Sequence, residues 1–290
     1  MKRLCVLGSL HLDVIVNAKQ LPRLDETVIG DKVNYLFGGK GGNQALAADQ
    51  HGANVDFIGR VGGDAFGKKL ERTINNGSID ISQLQRDSGA SGMSVAILDP
   101  QGEYGAVIVS EANLRINEHL ITIKKHTGLL LIQNEIPSSI NLAASRKAMK
   151  AEAEVWLNAA PARPLEPELL ENLSVIIVNR PEATFYNDIL NSDSCDHITK
   201  IFTQGSQGVT IIFPSKKEYH YDAYMVENRS SHGAGDMFIG ALAAQYMKNN
   251  SLFDSLQYAQ AAAALKVSRN SDNRSKFGEK EVFGFLKNQF

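Results

Sequence analysis

Short apolar runs alternate with segments patterned for helices along most of this chain, and that alternation leaves few folds open. The runs Leu4–Leu7, Val55–Gly59, Leu129–Gln133, Val155–Asn158, Val175–Val178 and Val209–Phe213 have the length and apolar content of buried strands. Helical patterns occupy Asn43–Gln50, Ala65–Asn75, Ser138–Lys150, Pro181–Ile189, Ala234–Met247 and Leu252–Val267. Strand, helix and strand in succession form a right-handed crossover unit, and repeated units build a parallel sheet with helices on both faces. The chain is therefore predicted to be α/β, with a three-layer, doubly wound, mostly parallel sheet. Ligands of such sheets bind beyond the carboxyl ends of the strands.

Two regions break the alternation. Residues 10–37 and 92–111 carry β-rich stretches with no helix between them, such as Met93–Leu98 and Ala106–Val109. The turn Asp99-Pro100-Gln101-Gly102 separates those two as a hairpin would. They predict a small antiparallel β lid, which covers a site or forms a dimerisation surface. The main domain is then expected to comprise residues 1–9, 38–91 and 112–290. The chain length of 290 residues is ample for one large domain with such an appendage.

Two glycine clusters sit where helical patterns begin. Gly38-Gly39-Lys40-Gly41-Gly42-Asn43-Gln44 allows a ligand close to the backbone, and Lys40 and Asn43 are donors for hydroxyls or phosphate. No Gly-Lys-Ser/Thr triplet follows, and the spacing is not a dinucleotide fingerprint. Standing alone, this cluster reads better as a tight turn into a helix than as a binding loop. Gly233-Ala234-Gly235-Asp236 opens the second helical run. Small residues there leave the first N–H groups of a helix uncovered, at the end of its dipole that favours anions. An aspartate beside an anion site is repulsive unless it takes a proton from a hydroxyl while the N–H groups hold charge developing on a phosphoryl group. Together the clusters point to phosphoryl transfer to an alcohol.

Composition excludes several other classes. A net charge of −2 argues against nucleic acid or an anionic membrane as main partner. Cys5 and Cys195 show neither a pairing pattern nor zinc spacing. The opening Met1–Gly8 is basic and then apolar, but it is short for a signal peptide and is followed by His11 and Asp13. No segment approaches membrane-spanning length, and a cytoplasmic protein is expected.

Six motifs, in order, resemble those of the ribokinase-like (PfkB) family of carbohydrate kinases. They are Val6-Leu7-Gly8-Ser9 with Asp13; Gly38–Asn43; Asn158-Ala159-Ala160-Pro161-Ala162-Arg163; Asn179-Arg180-Pro181-Glu182; Thr203-Gln204-Gly205-Ser206-Gln207-Gly208; and Gly233–Asp236 with Gly240-Ala241. The resemblance implies ATP-dependent phosphorylation of a sugar hydroxyl, ribose or a related pentose, and a homodimer joined through the β lid. It implies that Asp236 is the general base and that the amides of Gly233, Ala234 and Gly235 form the anion hole. His11, Asp13, Gly39, Lys40, Asn43 and Glu135 would hold the sugar. Asn179, Thr203, Gly205 and Gly208 would shape the nucleotide pocket, and Asn179 and Glu182 would orient Mg²⁺. Read without the resemblance, Asn179 is a strand-end turn residue, Glu182 a solvated first-turn acid, and 203–208 a plain turn.

The chain departs from the family pattern at three places. His11 stands where an asparagine that contacts the sugar is usual, and it either contacts the acceptor or packs at the lid hinge. Ser230-Ser231-His232 replaces a segment whose aspartate helps hold a monovalent cation, and the loop Arg269–Ser275 lacks the expected small residues, although it contains Asp272. Reduced or absent activation by K⁺ is predicted. His232 adjoins the anion hole and is expected to shape the turn. A nucleoside kinase of the same fold is the neighbouring reading, with Tyr35, Phe37, Met93 and Tyr104 as cover for a base. A sugar-binding or regulatory protein without turnover is the reading from another class, and a dinucleotide-dependent oxidoreductase is a distant fourth, because the fingerprint glycines after the first strand are absent.

Overall fold

Thirteen strands and nine helices are found among residues 2–100, 104–230, 232–269 and 277–289, which the computed structural model describes. In chain order they are β1 (Arg3–Leu7), β2 (His11–Ala18), β3 (Gly30–Gly38), α1 (Lys40–Gln50), β4 (Val55–Val61), α2 (Ala65–Ile74), β5 (Asp80–Arg86), β6 (Met93–Leu98) and β7 (Tyr104–Val109). Then follow β8 (Thr127–Gln133), α3 (Ser138–Lys150), β9 (Glu154–Asn158), α4 (Pro167–Glu171), β10 (Val175–Asn179), α5 (Arg180–Phe185), α6 (Asn187–Leu190) and β11 (Thr199–Thr203). The chain continues with β12 (Val209–Ile212), β13 (Glu218–Tyr221), α7 (Ala234–Met247), α8 (Leu252–Val267) and α9 (Glu279–Lys287).

The main sheet runs β13-β12-β11-β10-β9-β8-β1-β4-β5. Every pair from β11 to β5 is parallel, and β12 and β13 extend it antiparallel. Successive strand residues face opposite ways. Leu4 and Val6 therefore join a core shared with α1, α2, α7 and α8, while Cys5 and Leu7 join one shared with α3, α4 and α6. Both faces of β1 and β8 are buried, which explains their unbroken apolar sequence. The result is the three-layer, doubly wound architecture expected from the alternation. No helix among the described residues is long and apolar enough to cross a membrane.

A second sheet runs β3-β2-β6-β7. Its outer pairs, β2–β3 and β6–β7, are antiparallel, and the two hairpins meet through a parallel β2–β6 pairing. The pattern predicted one helix over Pro181–Ile189, but it divides at Tyr186 into α5 and α6. Tyr186 is fully buried, and its hydroxyl donates to Arg163 O at 2.7 Å and accepts from Arg163 N and Asn134 Nδ2.

Helices α1 and α7 approach closely because Gly240 carries no side chain. A Cβ there would lie 2.5 Å from Ala47 Cβ and 2.6 Å from Gln44 O. Gly240→Ala must push the helices apart, and it is expected to cost about 1–3 kcal/mol in urea unfolding. Unchanged stability would show that the contact is easily relieved.

Candidate active site

The sheet order reverses between β1 and β8. From β1 the chain moves out to β4 and β5, whereas from β8 it moves the other way through β9, β10 and β11. A crevice opens at such a switch point, beyond the carboxyl ends of the strands. Gly8 and Ser9 leave β1 there, and Asn134 and Glu135 leave β8. Ser9 Oγ donates to Glu135 Oε2 at 2.5 Å, and Lys40 N donates to the same oxygen at 2.8 Å. Glu135 thus receives a backbone donor from the start of α1, where the helix dipole favours negative charge.

Glycines hold that loop against β1. Gly39 has φ 88°, and a Cβ on it would sit 2.7 Å from Ser9 O. A Cβ on Gly41 would sit 2.6 Å from the Gly8 backbone. At these two positions the fold itself demands glycine.

His11 and Asp13 belong to β2 and meet the crevice from the small sheet. His11 Nδ1 lies 3.9 Å from Glu135 Oε2. Burial pushes the imidazole pKa down against the pull of Glu135 and Asp13, which keeps it neutral at pH 7. Its Nε2 is buried with no partner among the described residues. The Asp13 carboxylate accepts from Ser94 Oγ of β6 at 2.5 Å and lies against Gly38.

Asp236 occupies the first turn of α7. Asn43 Nδ2 donates to its Oδ2 at 3.1 Å, and Gln44 Nε2 donates to its Oδ1 at 2.9 Å. Burial of the carboxyl group raises its pKa above the ordinary aspartate range, opposed by Lys40 and by the two amide donors. Such a group is a better base than a solvated aspartate. Gly233, with φ 72°, caps the helix without a side-chain bond. Gly235 is different, because a Cβ there would find no atom of the described residues within 4 Å. Packing among the described residues gives no reason for that glycine, which stands in the first turn of α7.

The remaining expected residues form a second group, at the ends of β10 and β11. Asn179 and Thr203 are register partners. Asn179 Oδ1 accepts from Glu182 N at 3.1 Å, and Glu182 Oε2 accepts from Asn179 N at 2.9 Å, a reciprocal cap on α5. Glu182 is buried, in contrast to the solvated acid that its position suggests. Gly205 and Gly208 have φ 61° and 93°. A Cβ on Gly208 would lie 1.9 Å from Tyr221 O, so that glycine is needed by the turn into β12. Ser230 N donates to Val267 O, and the exposed His232 donates its N–H to Ser230 Oγ at 3.4 Å. Ser231, Asp272 and most of the loop that holds it lie outside the described residues, as does the side chain of Tyr104.

The structure therefore brings His11, Asp13, Gly39, Lys40, Asn43, Glu135 and Asp236 into one crevice, and leaves Asn179, Glu182, Thr203, Gly205 and Gly208 two strands away on the same sheet edge. Sequence reasoning gave no role to Ser9, Gln44 or Gln133. Ser9 and Gln44 stand inside the motifs that were singled out, but serine and glutamine carry no spacing signature of their own.

The pattern of the pfkB family of carbohydrate kinases matches residues 1–276. Ribokinase from Bacillus subtilis is 30% identical over 275 residues, covering 92% of this chain and 93% of that protein. The structure of Arabidopsis thaliana ribokinase complexed with ribose and ATP superposes with a TM-score of 0.89 at 25% identity, covering 99% of each chain. A nucleoside kinase from Methanocaldococcus jannaschii shares the fold with a TM-score of 0.89 at 20% identity over 99% of each chain.

Proposed function

The chain belongs to the pfkB family of carbohydrate kinases, and from that premise we propose that it transfers the terminal phosphoryl group of ATP to a hydroxyl of ribose or a closely related pentose. The observation that carries this reading is Asp236, a carboxylate with a raised pKa held by Asn43 and Gln44 beside the open, glycine-lined start of α7. Asp236 accepts the hydroxyl proton. The amides of Gly233, Ala234 and Gly235 hold charge on the phosphoryl oxygens, where one donor contributes about 2.7–4 kcal/mol to the transition state. Asp13, Lys40, Asn43 and Glu135 fix the sugar, His11 offers its buried nitrogen, and Gly39 admits it close to the backbone. Residues 10–37 and 92–111 act as the lid.

Asn179, Thr203, Gly205 and Gly208 frame the nucleotide at the ends of β10 and β11. The donor set there suits a hard cation: the α5 cap uses one of the two Glu182 oxygens, and Asn179 adds an amide oxygen. No described group of three or more His, Cys, Asp or Glu residues could hold a metal by itself. Asn179 and Glu182 would therefore hold Mg²⁺ through its water shell. When bound, the ion neutralises and orders phosphate oxygens.

Two further features refine the reading. The strand register places Tyr35, Phe37 and Met93 on the sheet face of Leu12 and Val14, opposite to Asp13 and Ser94. Those side chains do not cover a base on the acceptor side, which favours a sugar over a nucleoside. The same face exposes Val33, Tyr35 and Val107. A second copy of the chain covers it, making the homodimer, and sedimentation at micromolar concentration is expected to give the dimer mass. A monomer would rule this out.

Ribose and a set of nucleosides, compared as acceptors at saturating ATP and Mg²⁺, test the substrate class. Ribose is expected to give the higher kcat/KM, and preference for a nucleoside would replace the sugar reading. Ser230 places no charge at the cation position, so turnover in K⁺ is expected to match turnover in a bulky organic-cation buffer. Strong activation by K⁺ would contradict this.

A further inference from the structure

Behind Asp236 lies a buried chain of two side-chain amides, Gln44 on α1 and Gln133 at the end of β8, each with no exposed surface. Gln44 Nε2 donates to Asp236 Oδ1 at 2.9 Å, and Gln133 Nε2 donates to Gln44 Oε1 at 2.9 Å. Gln133 Oε1 is left buried with no partner among the described residues, an arrangement that ordinary cores avoid. That oxygen lies so close to Gly8 that a Cβ there would be 1.9 Å from it, and Gly41 Cα is adjacent.

An amide has a donor end and an acceptor end, and an ionised carboxylate only accepts. If Gln44 turned over, its oxygen would face Asp236, an arrangement that suits only the protonated acid. Turning Gln44 over requires Gln133 to turn as well, so that its oxygen accepts from Gln44. The NH₂ group would then press its hydrogens against the Gly8 α-carbon, where the oxygen now makes a tolerable C–H contact. The packing at Gly8 thus sets the polarity of Gln133, and Gln133 sets the polarity of Gln44.

We propose that Gln133 is a positioning residue for the general base: through Gln44 it holds a donor permanently toward Asp236 and so keeps that carboxylate ionised and aimed. This rests on the reading of Asp236 as the base. The other charged groups around the Asp236 turn are Lys40 at the start of α1, Glu135 beyond β8, and Lys266 of α8 beside Gly233. None of them is altered by a change at residue 133.

Gln133→Met keeps the volume and removes the donor. The acidic limb of the kcat–pH profile is expected to move up by about one unit, because Gln44, released from Gln133, is free to turn its oxygen toward Asp236 and favour the protonated acid. KM for the sugar should stay within about twofold, and kcat should recover at high pH, because ionisation is what was lost. Gln44→Met, the second variant, should shift the limb at least as far. The double variant should be no worse than Gln44→Met alone, since Gln133 acts only through Gln44. An unmoved limb in Gln133→Met, or single losses that multiply in the double variant, would overturn the relay while the base reading stands. Asp236→Asn run in parallel separates the two: turnover retained there would remove the base and the relay with it.

Discussion

Asp236→Asn is expected to lower kcat by about 10²–10⁴-fold, with KM for the sugar little changed. Asparagine keeps the size of the side chain and can still accept from one of its two neighbours, Asn43 or Gln44. What it loses is the capacity to take a proton. The pH dependence of the native enzyme follows with a definite sign. Burial raises the Asp236 pKa, so the rate should rise with pH through a value above that of an ordinary aspartate, as the base loses its proton. The linkage to stability has the opposite sense. As pH rises, the unfolded carboxyl group ionises before the folded one, so the native state loses stability between the two pKa values. Asp236→Asn has no such cost, and its thermal midpoint at neutral pH is expected to stay at or above that of the native protein. A variant that unfolds early would assign Asp236 a structural role instead.

Gly235→Ala is expected to show the second largest effect, a loss of about 10²–10³-fold in kcat, comparable to removal of one anion-hole donor. The fold has no objection to the substitution. Among the described residues, a Cβ at this position meets nothing within 4 Å, and alanine is favoured over glycine in a helix by about 1 kcal/mol. Stability should therefore be unchanged or slightly improved while activity falls, because the methyl group stands where phosphoryl oxygens approach the α7 amides. Full activity in a stable Gly235→Ala variant would show that nothing approaches that helix end. Gly39 and Gly41 do not offer the same separation, since the backbone of residues 8–11 already excludes a side chain at both positions.

The legibility of the sequence followed burial. Strands β1, β8, β9 and β10 lie inside the sheet and read as continuous apolar runs, β4 reads as a largely apolar run broken by Asp56, and α3, α7 and α8 were bounded to the residue by their flanking turns. β5, Asp-Ile-Ser-Gln-Leu-Gln-Arg, and β13, Glu-Tyr-His-Tyr, are edge strands with polar, partly exposed faces, and they carry no such run. The β2–β6 pairing joins hairpins far apart in the chain, a contact that no local pattern announces. Tyr186 fits a helical pattern as well as any aromatic residue. Its role at the α5–α6 break depends on partners at 134 and 163, which only the folded chain assembles.

The candidate site divides in the same way. Lys40, Asn43 and Asp236 stand in glycine clusters whose chemistry is readable residue by residue, and the fold joins the clusters across α1 and α7. Asn179 and Glu182 have the spacing of a reciprocal helix cap, and that cap is what the structure contains. The sequence pattern shows the spacing but not that Glu182 would be buried by it. Gln44 and Gln133 were silent because a glutamine amide has meaning only through the atoms at its two ends.

The proposed reaction is phosphoryl transfer from ATP to a pentose at the Asp236 crevice. The direct measurement is transfer of γ-labelled phosphate from ATP to ribose by the purified protein with Mg²⁺, alongside Asp236→Asn. Labelled sugar phosphate is expected from the native protein and at most a trace from the variant. Ribose and ATP that both bind, with no label passing to any pentose, would contradict the account and leave a sugar-binding protein on a kinase fold.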